Sequence, residues 1–389
     1  MDNYSWPSYT KAEISSVAKV LKSNKVNYLF GSKGYEFEKE FSSYTGAQYS
    51  LAVANGTLAI DLCLRAIDIR PGDEVIVTSR SFVASASCIS ALGGVPIFSD
   101  VDINSQNITL NHIKDLVTKK TKAIICVHFA GFPCDMPEIM NFSKRKKIFV
   151  IEDCAQAHGA SIDGKSVGTF GHINAWSFCN DKIMSTCGEG GMVTSNSKKL
   201  FEIAQSFNNH GKNFKKINLL NQKKVKKFPF VHDSIGLNYR LTEMQSAVGI
   251  IQIKKLPKWQ ITRNRNAGIY INALKNLKIV SFPVLPQKFT HAWYKFYLTL
   301  NPDFIKPNIT REEIINRINK ENIYCAFGSC GSIFNEKAFS SMKIDTSKIH
   351  NSVFLENNSL MFEVHPTIPK KVLLDRAKKV KDILLDFQV

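Results

Sequence analysis

The stretch IFVIEDCAQAHGA at 148–160 decides the fold. It starts as a continuous apolar run and closes on two acids, Glu152 and Asp153. A run without polar alternation reads as a strand covered on both faces, as a parallel sheet between helices requires. Similar runs recur outward from it: YSLAV at 49–53, EVIV at 74–77, VPIF at 95–98 and AIICV at 123–127. Helical stretches separate them, so the chain predicts an α/β fold with a mostly parallel sheet. AWSF at 175–178 and GMVT at 191–194 follow with no full helix between them. The late part of the sheet is therefore predicted to depart from a simple doubly wound repeat.

Either side of this core the pattern changes. Thr10 and Glu13 form a capping-box pattern that opens an amphipathic helix ending near Ser23. Another helix begins near Thr242, with Glu243, Met244 and Ala247 leading towards Lys255. From about 257 the chain reads as a long helix, strands near 278–283 and 293–300, and a second capping box at Thr310–Glu313. These features predict a large domain over 1–256 and a smaller α+β domain over 257–389.

The chain has 389 residues, 44% hydrophobic and 22% charged, which suits soluble globular domains and excludes collagen-like, disordered and coiled-coil chains. The unusual quantity is charge: 51 Lys and Arg against 33 Asp and Glu leave +18. Such a surplus opens three classes of partner: nucleic acid, an anionic membrane or an anionic substrate. The start, MDNYSW, predicts no secretory signal. The long charge-free stretch Ser81–Ser99 is broken by Gly93, Gly94 and Pro96, against a membrane span. The nine cysteines are scattered without a Cys-x-x-Cys pair, as expected of reduced thiols in a cytoplasmic enzyme.

One motif is a decoy. GASIDGKS at 159–166 matches the phosphate-loop pattern letter for letter. That loop works only when a helix follows directly, and the continuation VGTFGH has no helical period. Asp163-Gly164 instead predicts a hairpin turn. Cys154 and His158 have the spacing of a helical metal pair, yet no further ligand pair accompanies them, so no metal is expected. A second constellation is chemically richer. Asp153 closes a strand of the sheet, where α/β folds bind ligands. Lys182 stands five residues after Ser177 at the end of another strand, before GEGG at 188–191. Asn55-Gly56-Thr57, between the first strand and its helix, offers backbone amides to an anion. A lysine, a carboxylate and a phosphate cup are the three groups that pyridoxal phosphate needs.

With those residues quoted, the chain resembles the sugar aminotransferases of the DegT/DnrJ/StrS type, pyridoxal-phosphate enzymes of fold type I. The matching pieces are ANGTLA at 54–59, PGDEVIV at 71–77, FVAS at 82–85, EDCAQAHGA at 152–160 and WSFCNDK at 176–182. GEGGM at 188–192, NHG at 209–211 and GLNYRLTEMQ at 236–245 complete the family's order. The last third resembles the family only loosely. The resemblance implies that Lys182 bonds to the cofactor's aldehyde and then shuttles a proton. It implies that Asp153 faces the pyridine nitrogen, Gln156 the 3-oxygen, and Phe82 the ring plane. Gly56, Thr57 and Ser177 would hold the phosphate, joined by Asn238 from the partner subunit of a homodimer with its active site at the interface. Glu189, His210 and Arg240 are candidates for substrate contact.

The activity implied is transfer of an amino group from an amino acid, glutamate, to a nucleotide-diphospho keto-sugar in polysaccharide or amino-sugar biosynthesis. Some relatives carry histidine at the lysine position and dehydrate instead, so Lys182 favours transamination over a sugar dehydratase of the same fold. Cys179, Asn180 and Asp181 depart from the family's usual spacer, and Asp181 is expected to alter the field at Lys182. The remaining alternative is a basic nucleic-acid-binding protein using the lysine-dense segment 212–227, with Phe214, Phe228 and Phe230 interleaved. No recognised nucleic-acid module surrounds that segment. Its lysines are expected instead to steer the substrate's diphosphate.

Overall fold

The computed structural model describes residues 4–222, 230–342 and 344–389. Five strands come first: β1 (Tyr49–Val53), β2 (Glu74–Thr78), β3 (Val95–Ser99), β4 (Thr121–Val127) and β5 (Phe149–Asp153). A small hairpin, β6 (Ser161–Ile162) and β7 (Lys165–Ser166), precedes β8 (Ile173–Ser177) and β9 (Gly191–Ser195). The main sheet runs β1-β9-β8-β5-β4-β2-β3. Every pairing from β3 across to β8 is parallel, whereas β9 is antiparallel to both β8 and β1. The cause is the one anticipated. A parallel return is normally made through a helix, and the connection over 178–190 contains none.

The continuous apolar runs are buried as their lack of alternation requires. Leu51, Val75, Val77, Ile125 and Ile151 pack on one side of the sheet with the helix Gly56–Ala66, and Ile76, Ile124 and Val150 pack on the other. The phosphate-loop look-alike is the turn of the β6–β7 hairpin. Asp163 and Gly164 take φ of 49° and 76°, the left-handed pair that a tight hairpin turn needs.

Thr10 caps the helix Lys11–Lys22 through both arms of the predicted box. Thr310 accepts the Glu313 N–H at 3.2 Å, one arm of the second box, at the start of the helix Arg311–Lys320. The larger difference concerns the boundary at 256/257. It falls inside one unbroken helix, Glu243–Leu274, which continues through Pro257. A proline removes one intrahelical donor, at a local cost. Packing overrides it here: Ile253 and Leu256 before it and Ala267, Tyr270 and Leu274 after it are all buried, in two different cores. The second core lies against an antiparallel sheet in the order β10 (Val280–Ser281), β12 (Phe296–Leu300), β14 (Ser359–Phe362) and β13 (Cys325–Ala326). A short strand between β10 and β12, β11 (Phe289–Thr290), instead pairs with β6. The segment around Ile333, Phe334 and Phe339 packs into the first core beside Phe98. Among the described residues no helix is long and apolar enough to cross a membrane.

Candidate active site

The carboxyl ends of β1, β2, β5 and β8 open on a cavity of about 410 Å³. Eight of the residues singled out from the sequence line it. They are Gly56, Thr57 and Ser177, which lie together, with Asp153, Gln156, Phe82, Lys182 and Glu189.

The anion-binding end is built by helix geometry. Asn55 caps the helix Gly56–Ala66 by accepting the Leu58 N–H at 2.9 Å, which leaves the first amides of the helix free for a ligand. A Cβ on Gly56 would lie 2.6 Å from Ser177 Cβ and 2.9 Å from its Oγ, so only glycine keeps the cleft open there.

Asp153 ends β5 and is 4% exposed. Burial pushes its carboxyl above the ordinary range; the Ala155 N–H at 3.1 Å, the Ser85 hydroxyl at 2.8 Å and the charge of Lys182 work against that. Ser85 in turn lies 3.0 Å from Ser81 Oγ. His128 spans the layer beneath. Its Nδ1 accepts the Cys134 N–H at 3.0 Å, so Nε2 carries the proton and donates to Glu152 at 3.0 Å. Glu152 also accepts the N–H groups of Gly168, Phe170 and Gly171, so it is fully engaged as a brace. Gln156 accepts the Ala130 N–H at 2.7 Å and turns its amide nitrogen towards Cys330, on the cavity wall.

Lys182 sits in the loop after β8, its side chain 15% exposed. Its carbonyl accepts the Trp6 indole N–H at 2.7 Å, and its Nζ lies 3.6 Å from Asp181 Oδ1 and 4.9 Å from the Tyr294 ring centre. Phe82 is 59% exposed and stands over the opening as a free aromatic face. Glu189 is tied through its carbonyl, which accepts from Thr186 and Gln245.

Asn238, His210 and Arg240 stay outside the cavity of their own chain. Asn238 pairs with Asn209 in an isolated bridge, the Arg240 guanidinium donates to Asn209 at 3.3 Å, and His210 is held by backbone bonds to Leu237 and His232. The His158 ring packs on Trp176 and Phe178. The cavity residues that carried no assignment in the sequence include Ser85, Tyr294, Ser329 and Cys330. Ser85 belongs to the FVAS motif and was within reach; the other three come from the loosely matching last third.

A larger groove of about 770 Å³ runs between the helices Lys198–Asn208 and Phe214–Gln222, and holds none of the expected catalytic residues. Of the lysine-dense segment, Lys215 pairs with Glu202 at 2.8 Å and Lys216 with Asp233 at 3.1 Å. Lys223, Lys224, Lys226, Lys227 and Phe228 lie outside the described residues.

A seven-stranded sheet with one reversed strand, joined to a smaller antiparallel sheet by a long helix, is the architecture of the fold type I transferases. An aminotransferase from Psychrobacter cryohalolentis superposes with a TM-score of 0.93 at 40% identity, covering 98% of this chain and 99% of its own. Residues 7–370 match the DegT/DnrJ/EryC1/StrS aminotransferase family, and the chain belongs to it. Among its relatives are a GDP-perosamine synthase from Escherichia coli O157:H7, 38% identical over 70% of this chain and 71% of the relative. A dTDP-3-amino-3,6-dideoxy-alpha-D-galactopyranose transaminase from Aneurinibacillus thermoaerophilus is 36% identical over 74% and 75%.

Proposed function

We propose that the protein is a pyridoxal-phosphate-dependent aminotransferase that transfers the amino group of an amino acid, glutamate, to the keto group of a nucleotide-linked deoxysugar. The observation that carries this is one cavity holding the Lys182 amine, the buried Asp153 carboxylate and the open helix end at Gly56 and Thr57. The donor set fits the cofactor's chemistry at both ends: amides and hydroxyls for a dianion, and a carboxylate for a basic ring nitrogen. The GDP- and dTDP-sugar names of the relatives support the substrate class.

When bound, the cofactor supplies a protonated ring that draws electrons from the amino acid's α-carbon. Asp153 keeps the ring nitrogen protonated by staying ionised opposite it, with Ser85 and the Ala155 amide stabilising its charge. Gly56, Thr57 and Ser177 hold the phosphate, Phe82 covers the ring, and Gln156 meets its 3-oxygen. Lys182 would take the proton from the amino acid's α-carbon and deliver it to the cofactor's aldehyde carbon, two bonds away; hydrolysis would then release the keto acid. Asn238 of the partner subunit completes the phosphate site of a homodimer, and His210 and Arg240 act towards substrate across the same interface. Glu189 contacts substrate from within its own chain.

Purified protein supplied with the cofactor is expected to absorb near about 420 nm, with borohydride fixing the label on Lys182. Glutamate together with a nucleotide-linked keto-sugar is expected to release 2-oxoglutarate and an amino-sugar. A Lys182→Ala protein that still carried a full borohydride-reducible label would overturn the reading.

A further inference from the structure

Asp181 replaces the usual spacer residue before the lysine, and the structure gives it a partner from a distant part of the chain. The Tyr294 hydroxyl donates to Asp181 Oδ2 while Oδ1 lies 3.6 Å from Lys182 Nζ. The Tyr294 ring itself separates two amines: its centre is 4.9 Å from Lys182 Nζ and 5.5 Å from Lys295 Nζ. We propose that Asp181, held by Tyr294, is a positioning residue that parks the Lys182 amine whenever it is not bonded to the cofactor. The inference rests on Lys182 being the reacting lysine.

The electrostatics follow from what faces each group. Burial pushes the Asp181 carboxyl up, but Lys182, the Tyr294 hydroxyl and Lys295 outweigh it, so the group stays ionised. Tyr324 also feels the Asp181 charge. On the other side of Lys182 stand Asp153, Cys330 and the neutral His158 ring, each of which feels its charge. Lys295 is held away by Glu363, 3.8 Å distant, so it does not neutralise Asp181 outright. A carboxylate this close attracts the Lys182 ammonium and holds it at that place in the cavity. The Tyr294 hydroxyl moderates the effect by occupying one carboxylate oxygen.

The two atoms therefore pull in opposite directions, which a merely structural role does not predict. In Asp181→Asn the amine loses its counter-charge, and Lys182 of cofactor-free protein is acylated about three- to tenfold faster at a fixed pH, the low end for a partly exposed pair. In Tyr294→Phe the freed carboxylate turns to Lys182 and acylation slows. The rate is read by mass spectrometry as acetylation of Lys182 by an acetylating reagent in cofactor-free protein. Equal rates in all three proteins, or changes in the same direction, overturn the proposal. If Asp181→Asn does not fold, the direction of the Tyr294→Phe change alone decides it. Should wild-type protein show no borohydride-fixed cofactor on Lys182, the reading of the site fails instead, and the two failures are distinct.

Discussion

Ser85→Ala tests how the fold keeps a carboxylate charged in an apolar floor. The Ser85 hydroxyl donates to Asp153 Oδ2 at 2.8 Å, and the Ala155 N–H donates to Oδ1 at 3.1 Å. Against them, burial drives the Asp153 carboxyl upward. A hydrogen bond to a charged group contributes about 1.5–3 kcal/mol. At about 1.4 kcal/mol per pKa unit, deleting the hydroxyl moves the carboxyl up by roughly one to two units. The charge opposite the ring nitrogen is then lost at a correspondingly higher pH, so cofactor affinity and the glutamate half-reaction fail earlier on acidification. The assay is cofactor binding to cofactor-free protein, followed near about 420 nm from pH 5 to 9. The acidic limb of Ser85→Ala is expected about one to two units above wild type, with the two curves converging at alkaline pH. Ser81→Ala, one bond further out at 3.0 Å, is expected to shift the limb less. Superimposable profiles for Ser85→Ala and wild type would refute the reasoning.

Two further outcomes follow from other parts of the molecule. Gly56→Ala puts a methyl 2.6 Å from Ser177 Cβ; overpacking of this kind costs about 1–3 kcal/mol of stability, so the melting temperature is expected to fall and, with Ser177 displaced from the cup, cofactor affinity to drop about tenfold or more. Equal affinities for the two proteins in a spectroscopic titration would exclude the cup at that helix end. Burial pushes the half-buried Glu38 carboxyl up to about 8, above its ordinary 4.5, despite donation from the Ala52 N–H and the Tyr28 hydroxyl, each at 2.9 Å. A raised acid binds its proton more tightly in the folded state, so its contribution is complete below about 4.5 and is lost as pH rises through about 8. Glu38→Gln is therefore expected to flatten the fall in melting temperature between pH 5 and 9, and parallel curves would count against it.

What the sequence made legible follows from how locally each feature is determined. Buried parallel strands announce themselves because both faces are apolar, and all seven runs became strands of one sheet. The residues at their ends were legible because a strand and the loop that follows it lie within a dozen residues of each other, as those carrying Gly56, Asp153 and Lys182 do. The continuity of the helix Glu243–Leu274 escaped the sequence for the converse reason: Pro257 has a real local cost, but it is outweighed by side chains buried on both flanks of the same helix, which no window of sequence reveals. Tyr294 was invisible in another way, since it meets Asp181 across 113 positions and sits outside any motif.

The lysine loop shows where these two kinds of determination meet. The backbone of Lys182 is fixed by the Trp6 indole, and its amine by Asp181 and the Tyr294 ring. Both outside contributors converge on Arg263, in the half of the long helix beyond Pro257. Its guanidinium donates to the Trp293 and Tyr294 carbonyls at 3.1 Å each and lies 5.0 Å from the Trp6 ring. Burial pushes Arg263 down only to about 9, so it remains a cation at neutral pH and keeps both attachments. The continuity of the helix is thus what carries this clamp to the strand ends of the first sheet. A helix broken at Pro257 would leave the lysine in its motif but without the groups that hold it.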